Sequence, residues 1–317
     1  MQEFVFNSLN IVSLNARGLR NLTKRKALFL YCKRSNADFV LLQETHSGES
    51  DLKFWKTQWG DMAYFSHGSN HSAGVLTLIH KFKGDVLEST SSQDGRWVIV
   101  TVKLDNAIFI ICNVYGHNSH APNKTLFTQF TRKVQDLSNK YSGAFLIISG
   151  DFNETPDASV DRFPPKTSQN PRNSNIISTL CKDLCVDDAW RYFNPDAKGY
   201  TWTNKTMSRK SRIDLFLISP FLLQFVIEVD HQLAPFSDHY LISLNLQATK
   251  KSKGTRGYWK LNNTLLKDTT LIENIKSLAK DIFARKDLGH GSRWEFFKYK
   301  IRAVAIKRAK ELMHLKN

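Results

Sequence analysis

"AFLIISGDFNETP", residues 144–156, runs from a short β-branched apolar segment straight into an acid and an amide. The apolar half reads as a strand, because such residues suit a pleated, half-buried surface. The polar half admits two readings. Gly150, Asp151 and Asn153 are ordinary turn formers, so a simple Asx-turn would explain them. Alternatively, Asp151 and Asn153, two apart, share one face of an extended segment. There a carboxylate takes a proton from water while the amide holds the nucleophile or a phosphoryl oxygen.

The same design recurs along the chain. "LNIVSL" (9–14), "DFVLLQE" (38–44), "GVLTLIH" (74–80), "WVIVTVKL" (97–104), "AIFIICNVY" (107–115), "RIDLFLIS" (212–219), "FVIEV" (225–229) and "YLISLNL" (240–246) all read as strands. Residues 97–104 and 107–115 read as a hairpin. Helices are predicted over 23–35, about 123–140 and about 174–185, with Thr23 capping the first and Asn173 or Ser174 the third. Helices joining separated strands imply mixed sheets covered by helices, an α/β layered body. Long polar loops at 154–174 and across most of 194–211 are of the kind that line a site.

Charge divides the chain. The formal balance of +16 over 317 residues is uneven: Lys250–Asn317 carries 18 basic and 6 acidic residues, leaving 27 and 23 for the first 249. The basic tail favours a polyanionic partner, nucleic acid first and an anionic membrane surface second; a solvated lysine-rich face is the plainer account. No apolar run is long enough to span a membrane, and the start lacks a signal-peptide pattern. Four cysteines, at 32, 112, 181 and 185, have neither CxxC nor zinc spacing and suit a reducing setting. "QATKKSKGTRG" (247–257) reads as a basic linker. Beyond it, Ile272, Ile275, Ala279 and Ile282 mark one helical face, and Trp294, Phe297, Ile301 and Val304 another.

Polar residues stand at the strand ends: Asn15, Gln43, Glu44, Tyr115, Asp151, Asn153, Asp214, Asp238 and His239. Glu44 offers a hard oxygen ligand for magnesium, or is simply a solvent-facing acid. Asp214, between Ile213 and Leu215, needs a partner if buried, a metal or a salt bridge with Arg212 or Arg209. His239 can donate to a developing phosphorane oxygen, or can belong with Asp238 to an ordinary turn. No GxSxG, GxxxxGK[ST] or strand-borne GxGxxG occurs. The set suits metal-assisted hydrolysis of a phosphate ester, with Mg2+ as the cofactor and Mn2+ as a substitute.

The ordered run "SLNARGL", "LLQETH", "NVYG", "SGDFNETP", "SRIDLFLIS" and "SDHYLI" resembles the endonuclease/exonuclease/phosphatase superfamily. Within it the sequence is similar to the endonuclease domain of LINE-type, non-LTR retrotransposons, relatives of AP endonucleases. "RGYWKLNNTLLKD" (256–268) resembles the segment that joins this domain to reverse transcriptase. The resemblance implies a fold of two packed mixed β-sheets flanked by helices, a four-layer α/β sandwich, with a C-terminal basic helical extension. Its implied domains are a nuclease at 1–248, a linker at 249–257 and a helical extension at 258–317. Asn15 and Glu44 would hold or orient the metal, with Asp151 and Asp238 as further ligands. Tyr115 would contact the scissile phosphate, Asp151 and Asn153 would position and activate water, and Asp214 would join the acidic network. His239, backed by Asp238, would stabilise the phosphate. Expected DNA contacts are Arg17, Tyr115, Asn118, Thr201, Lys205, Arg209, Lys210 and Arg212, with the basic loop 204–212 reaching the minor groove or merely solvated.

The implied activity is nicking one strand of duplex DNA to leave a 3′-hydroxyl and a 5′-phosphate, the hydroxyl priming reverse transcription. Implied partners are duplex DNA, the element RNA and a downstream reverse transcriptase domain of the same polyprotein, with no membrane. The implied setting is the nucleus after cytoplasmic synthesis. A repair AP endonuclease, a phosphoinositide or small phosphomonoester phosphatase, and a non-catalytic nucleic-acid-binding module are the competing readings.

Overall fold

The structure, a computed structural model, describes residues 6–69, 71–165, 175–234, 236–248, 263–285 and 290–314. The chain divides into two compact units, Met1–Thr249 and Lys250–Asn317. Asn173, Ser174, Pro235 and the expected linker 249–257 lie outside the described residues.

The first unit is built on two six-stranded sheets. One contains β1 (Leu9–Asn15), β2 (Phe39–Gln43), β3 (Ala63–Ser66), β4 (Val75–Ile79), β14 (Val226–Leu233) and β15 (Tyr240–Leu246), in the order β14-β15-β1-β2-β4-β3. The other contains β5 (Asp85–Ser91), β6 (Trp97–Leu104), β7 (Ala107–Tyr115), β8 (Phe145–Asp151), β10 (Asp187–Asp188) and β13 (Asp214–Ile218), ordered β10-β13-β8-β7-β6-β5. Both sheets are mixed, with β1–β2 and β7–β8 parallel. A small third sheet joins β9 (Arg162–Phe163), β11 (Trp202–Thr203) and β12 (Lys210–Ser211).

Period-2 alternation explains why the strands read as nearly continuous apolar runs. In β2, Phe39 and Leu41 enter the core between the sheets, while Val40 and Leu42 join the core under α1 (Leu22–Arg34) and α2 (Leu52–Trp59). In β13, Phe216 and Ile218 face the inter-sheet core, whereas Leu215 and Leu217 pack beneath α3 (His120–Lys140) and α4 (Ile176–Leu184). Each central strand is therefore buried on both faces, giving helix, sheet, sheet and helix layers as expected.

The helix starts differ from expectation by a few residues. Asn21, not Thr23, caps α1, its side chain accepting from Lys24 N at 3.0 Å. Asn175 caps α4 by accepting from Ser178 N at 3.2 Å. Asparagine two residues earlier wins at α1 because its carbonyl reaches the third helical amide. A short α5 (Ala189–Phe193) follows β10.

In the second unit, α6 (Thr269–Phe283) and α7 (His290–His314) pack against each other. Asp268 caps α6, accepting from Leu271 N at 2.7 Å, and receives both arms of Arg308 at 3.0 and 2.9 Å. Leu271, Ile282 and Ala305 are buried, and Phe283 meets Phe297 with ring centroids 5.3 Å apart. Trp294, expected on the apolar face of α7, is 52% exposed. Among the described residues no helix is long and apolar enough to cross a membrane.

Candidate active site

Strand parity aims the polar strand ends inward. Residues 11, 13 and 15 of β1 share the inter-sheet face, as do 111, 113 and 115 of β7, 147, 149 and 151 of β8, and 214, 216 and 218 of β13. One pleat below the strand tips lies a buried amide layer. Gln43 Nε2 donates to Ser13 Oγ at 3.0 Å and Asn113 Oδ1 at 2.7 Å, and Asn113 Nδ2 donates to Thr77 Oγ1 at 3.2 Å. This layer ties the two sheets together and fixes the height of the residues above it.

Above it, Asn15 Nδ2 donates to Glu44 Oε2 at 3.0 Å and to Asp151 Oδ2 at 2.9 Å, so one amide holds a carboxylate from each sheet. Its Oδ1 accepts from Arg17 N at 2.9 Å. Glu44 follows β2 with φ 51°, a left-handed backbone unusual for a non-glycine residue, which turns the chain sharply at the strand tip. The Tyr115 hydroxyl donates to Glu44 Oε2 at 3.2 Å, and the Arg96 guanidinium lies 5.0 Å from the Tyr115 ring. Burial and the Glu44 charge push the phenol well above its ordinary pKa, keeping it a donor.

Asp151 closes β8 opposite Asp214, its antiparallel partner on β13. The preceding Gly150 has φ 145°, and a Cβ there would meet Val114 O at 2.0 Å, so only glycine lets β8 lie this close to β7. Asn153 N donates to Asp151 Oδ1 at 2.9 Å, and Asn153 Nδ2 to Gly116 O at 3.1 Å. The Asx-turn is therefore present and positions the Asp151 carboxylate, while Asn153, with φ 51°, leaves the extended backbone and turns its amide to Gly116. His239 Nδ1 lies 2.9 Å from Asp214 Oδ2, and its Nε2 lies 3.8 Å from Asp151 Oδ2.

Asp214 opens β13 and is 1% exposed; its partner is His239, rather than Arg212 or Arg209. Burial disfavours the His239 imidazolium, yet the charges of Asp214 and Asp151 outweigh it and raise its pKa to about 9. Burial raises the Asp151 carboxyl, against the opposing pull of His239. One ligand atom from each of Asp151, Asp214 and His239 lies within 4.8 Å of the others, a site able to coordinate a divalent cation.

A cavity of about 660 Å3 opens over these groups. Asn15, Arg17, Glu44, Tyr115, Asn118, Asp151, Asn153, Arg209, Asp238 and His239 all line it. Asp238 accepts from Trp202 Nε1 at 3.3 Å and lies 3.6 Å from exposed Arg17. Lys205 is exposed in the turn between β11 and β12. Two expected DNA contacts belong to the interior instead. Thr201 is 0% exposed, its Oγ1 accepting from Ile213 N and Asp214 N, each at 3.1 Å. Arg212 is equally buried, held by Asp161 at 2.7 Å and Asp188 at 2.7 Å. Neither side chain can reach a phosphate; both brace the start of β13.

Trp202, Arg162, Ile213 and Glu154 also line the cavity and were missed in the sequence.

Two sheets whose tips join carboxylates, amides and a carboxylate-bound histidine in one cavity form a candidate metal-binding catalytic site. The chain belongs to the Endonuclease/Exonuclease/phosphatase family, whose model matches residues 6–239. It is 29% identical over 272 residues to the "Transposon TX1 uncharacterized 149 kDa protein" of Xenopus laevis, covering 85% of this chain. The matched part is 20% of that relative's length. The fold resembles AP endonuclease LMAP from Leishmania major, with TM-score 0.64, 14% identity, and 76% of this chain and 88% of that one covered. It also resembles the 3′-5′ exonuclease NExo from Neisseria meningitidis, with TM-score 0.60, 18% identity and 75% and 100% covered.

Proposed function

We propose that this chain is an endonuclease that nicks one strand of duplex DNA, leaving a 3′-hydroxyl and a 5′-phosphate. We place it in a non-LTR retrotransposon polyprotein, in which a downstream reverse transcriptase extends the hydroxyl along the element RNA. The observation that carries the chemistry is the Asn15 amide, which gathers Glu44 from one sheet and Asp151 from the other beside His239. The transposon relative supports the biological setting.

The donors fit a hard cation: Glu44 and Asp151 oxygens both accept from the Asn15 amide, and ligand atoms of Asp214 and His239 lie within 4.8 Å of Asp151. Mg2+ held by these oxygens would neutralise charge on the phosphate and the leaving oxygen. Asp151, steadied by Asn15 and Asn153 and raised in pKa by burial, accepts the proton of the attacking water. Oxygen attacks phosphorus, the P–O3′ bond breaks, and the departing O3′ takes a proton from solvent water to become the 3′-hydroxyl. Asp214 binds His239 Nδ1, leaving Nε2–H to donate to a non-bridging oxygen as its charge grows. Tyr115 supplies a second donor. Arg17, Asn118 and Arg209 on the rim hold neighbouring phosphates.

A labelled duplex oligonucleotide, its copy with one abasic site, and an inositol phosphate, each incubated with Mg2+, separate the family activities. Nicking of intact duplex is the expected result. A preference of several orders of magnitude for the abasic duplex would make the chain a repair enzyme, and hydrolysis of the inositol phosphate alone would make it a phosphatase.

A further inference from the structure

Behind the catalytic cavity lies a second one, of about 470 Å3, and the β11–β12 ribbon separates them. Trp202 and Ser211, paired across the ribbon, line the catalytic side. Their neighbours Thr203 and Lys210, also paired, line the far side. Adjacent strand residues point to opposite faces, so the two cavities flank one two-residue ribbon.

Its floor is rigid. His231 stacks on Trp190 with centroids 4.8 Å apart and planes at 17°, and Arg212 and Arg191 lie 5.3 and 5.1 Å from the same indole. Gly199 sits so close that a Cβ there would meet Trp190 at 2.2 Å. Its walls carry flat and soft groups: half-buried Tyr200 and Tyr240, and Met207, which is 68% exposed. Such surfaces stack with any base. Two cations, Lys198 and Lys210, stand at the wall, and neither pairs with a carboxylate among the described residues. Asp230, the one acid among the lining residues, accepts from Gln232 Nε2 at 3.3 Å and presents a further acceptor for a base N–H.

We propose that this second cavity binds one unpaired nucleotide of a single-stranded nucleic-acid segment next to the cleavage site, with its base against Tyr200, Tyr240 and Met207 and its phosphate on Lys198 and Lys210. The cavity's volume lies in the range of pockets that take one small ligand. An already unpaired nucleotide enters without the few kcal/mol that opening a duplex costs. The inference rests on the neighbouring cavity being a nuclease site only for its role; the binding itself does not depend on cleavage. DNA and RNA share the recognised chemistry, a stacking base and a phosphate.

The test uses the 317-residue protein in EDTA with short fluorescein-labelled oligothymidylate and oligouridylate, each bearing one 5-iodouracil. Irradiation should crosslink the iodinated base to the peptide containing Tyr200 or Tyr240. Thr203→Trp, which fills the cavity, should abolish that crosslink and weaken oligonucleotide binding about 10-fold. Lys198→Glu should weaken it and flatten its salt dependence. Both variants should nick Mg2+-treated duplex within about 2-fold of wild type, since neither side chain lines the catalytic cavity. A stronger crosslink for one oligonucleotide assigns DNA or RNA as the source. Crosslinks that map elsewhere, or variants that bind both oligonucleotides as wild type does, overturn the proposal. Crosslinking at Tyr200 or Tyr240 by a wild-type protein that never nicks duplex would retain this site while removing the nuclease reading.

Discussion

Replacing Arg212 with leucine tests whether this basic residue belongs to the interior or to a DNA-facing surface. Its Nε and Nη2 donate to the two oxygens of Asp161 at 2.7 and 3.1 Å, and Nη1 lies 2.7 Å from Asp188 Oδ2. Asp161 is 1% exposed, so the substitution strands a carboxylate in the interior. Removing one partner of a buried pair costs about 3–5 kcal/mol. Arg191 Nη2, 2.5 Å from Asp161 Oδ1, stays behind and keeps the loss near the lower end. At about 2–4 °C per kcal/mol for a unit of this size, the melting temperature should fall by roughly 6–12 °C. Arg212→Lys retains charge without the planar fork and should fall less. Calorimetry or thermal circular dichroism measures the shift, and fluorescence anisotropy measures duplex binding at several salt concentrations. A melting temperature within about 2 °C of wild type, with a shallower salt dependence of binding, would refute the buried role and restore Arg212 to the DNA surface.

The same geometry has other consequences. His239→Ala and Asp151→Asn should each lower duplex nicking about 100- to 1,000-fold while a filter-binding assay finds duplex affinity intact; nicking at the wild-type rate would exclude them from the chemistry. Asp214→Asn removes the charge that raises the His239 pKa, so the alkaline fall in the pH–rate profile should move to lower pH, and an unmoved limb would count against imidazolium donation. His231 is depressed to about 4, first by burial and then by Arg212, so folding favours its neutral form. That contribution is complete above the unfolded value near 6.5 and is lost as pH falls toward 4, amounting to about 2 kcal/mol by pH 5. Urea titrations of His231→Phe should show a correspondingly flatter acid limb, and a parallel limb would reject the assignment. Deleting residues 250–317 should weaken duplex binding and reduce its salt dependence without abolishing nicking; an unchanged salt titration would deny the tail a nucleic-acid role.

The central strands were legible because each is buried on both faces, which leaves a dense apolar run such as "AIFIICNV" in the sequence. The edge strand β5, "DVLESTS", alternates exposed and half-buried residues and was invisible for the opposite reason. The two-residue strands β9, β11 and β12 carry no periodicity at all; backbone pairing joins them, and Asp161 beside β9 holds Arg212 beside β12. Asp161 sits in a loop and Arg212 51 positions later, and only the fold reveals that they meet. Hence Arg212 and Thr201, read from the sequence as DNA contacts, are interior: Arg212 is held by Asp161 and Asp188, and Thr201 accepts from the Asp214 backbone N–H. Trp202 escaped notice because an aromatic in a polar loop has no partner until Asp238 is brought beside it. The strand-tip acids were readable from chemistry, since an acid directly after an apolar run needs a reason. Their convergence was not, because it depends on how two sheets stack.

The central claim is that strand tips from both sheets serve one phosphodiester. Supercoiled plasmid should be incubated with the protein and Mg2+, then offered a DNA polymerase and labelled nucleotides without phosphatase treatment. Relaxed circles that take up label immediately are expected, and neither relaxation nor labelling when Glu44→Gln replaces the wild-type protein. Plasmid that stays supercoiled with wild type, or nicks that accept label only after 3′-phosphate removal, would contradict the claim.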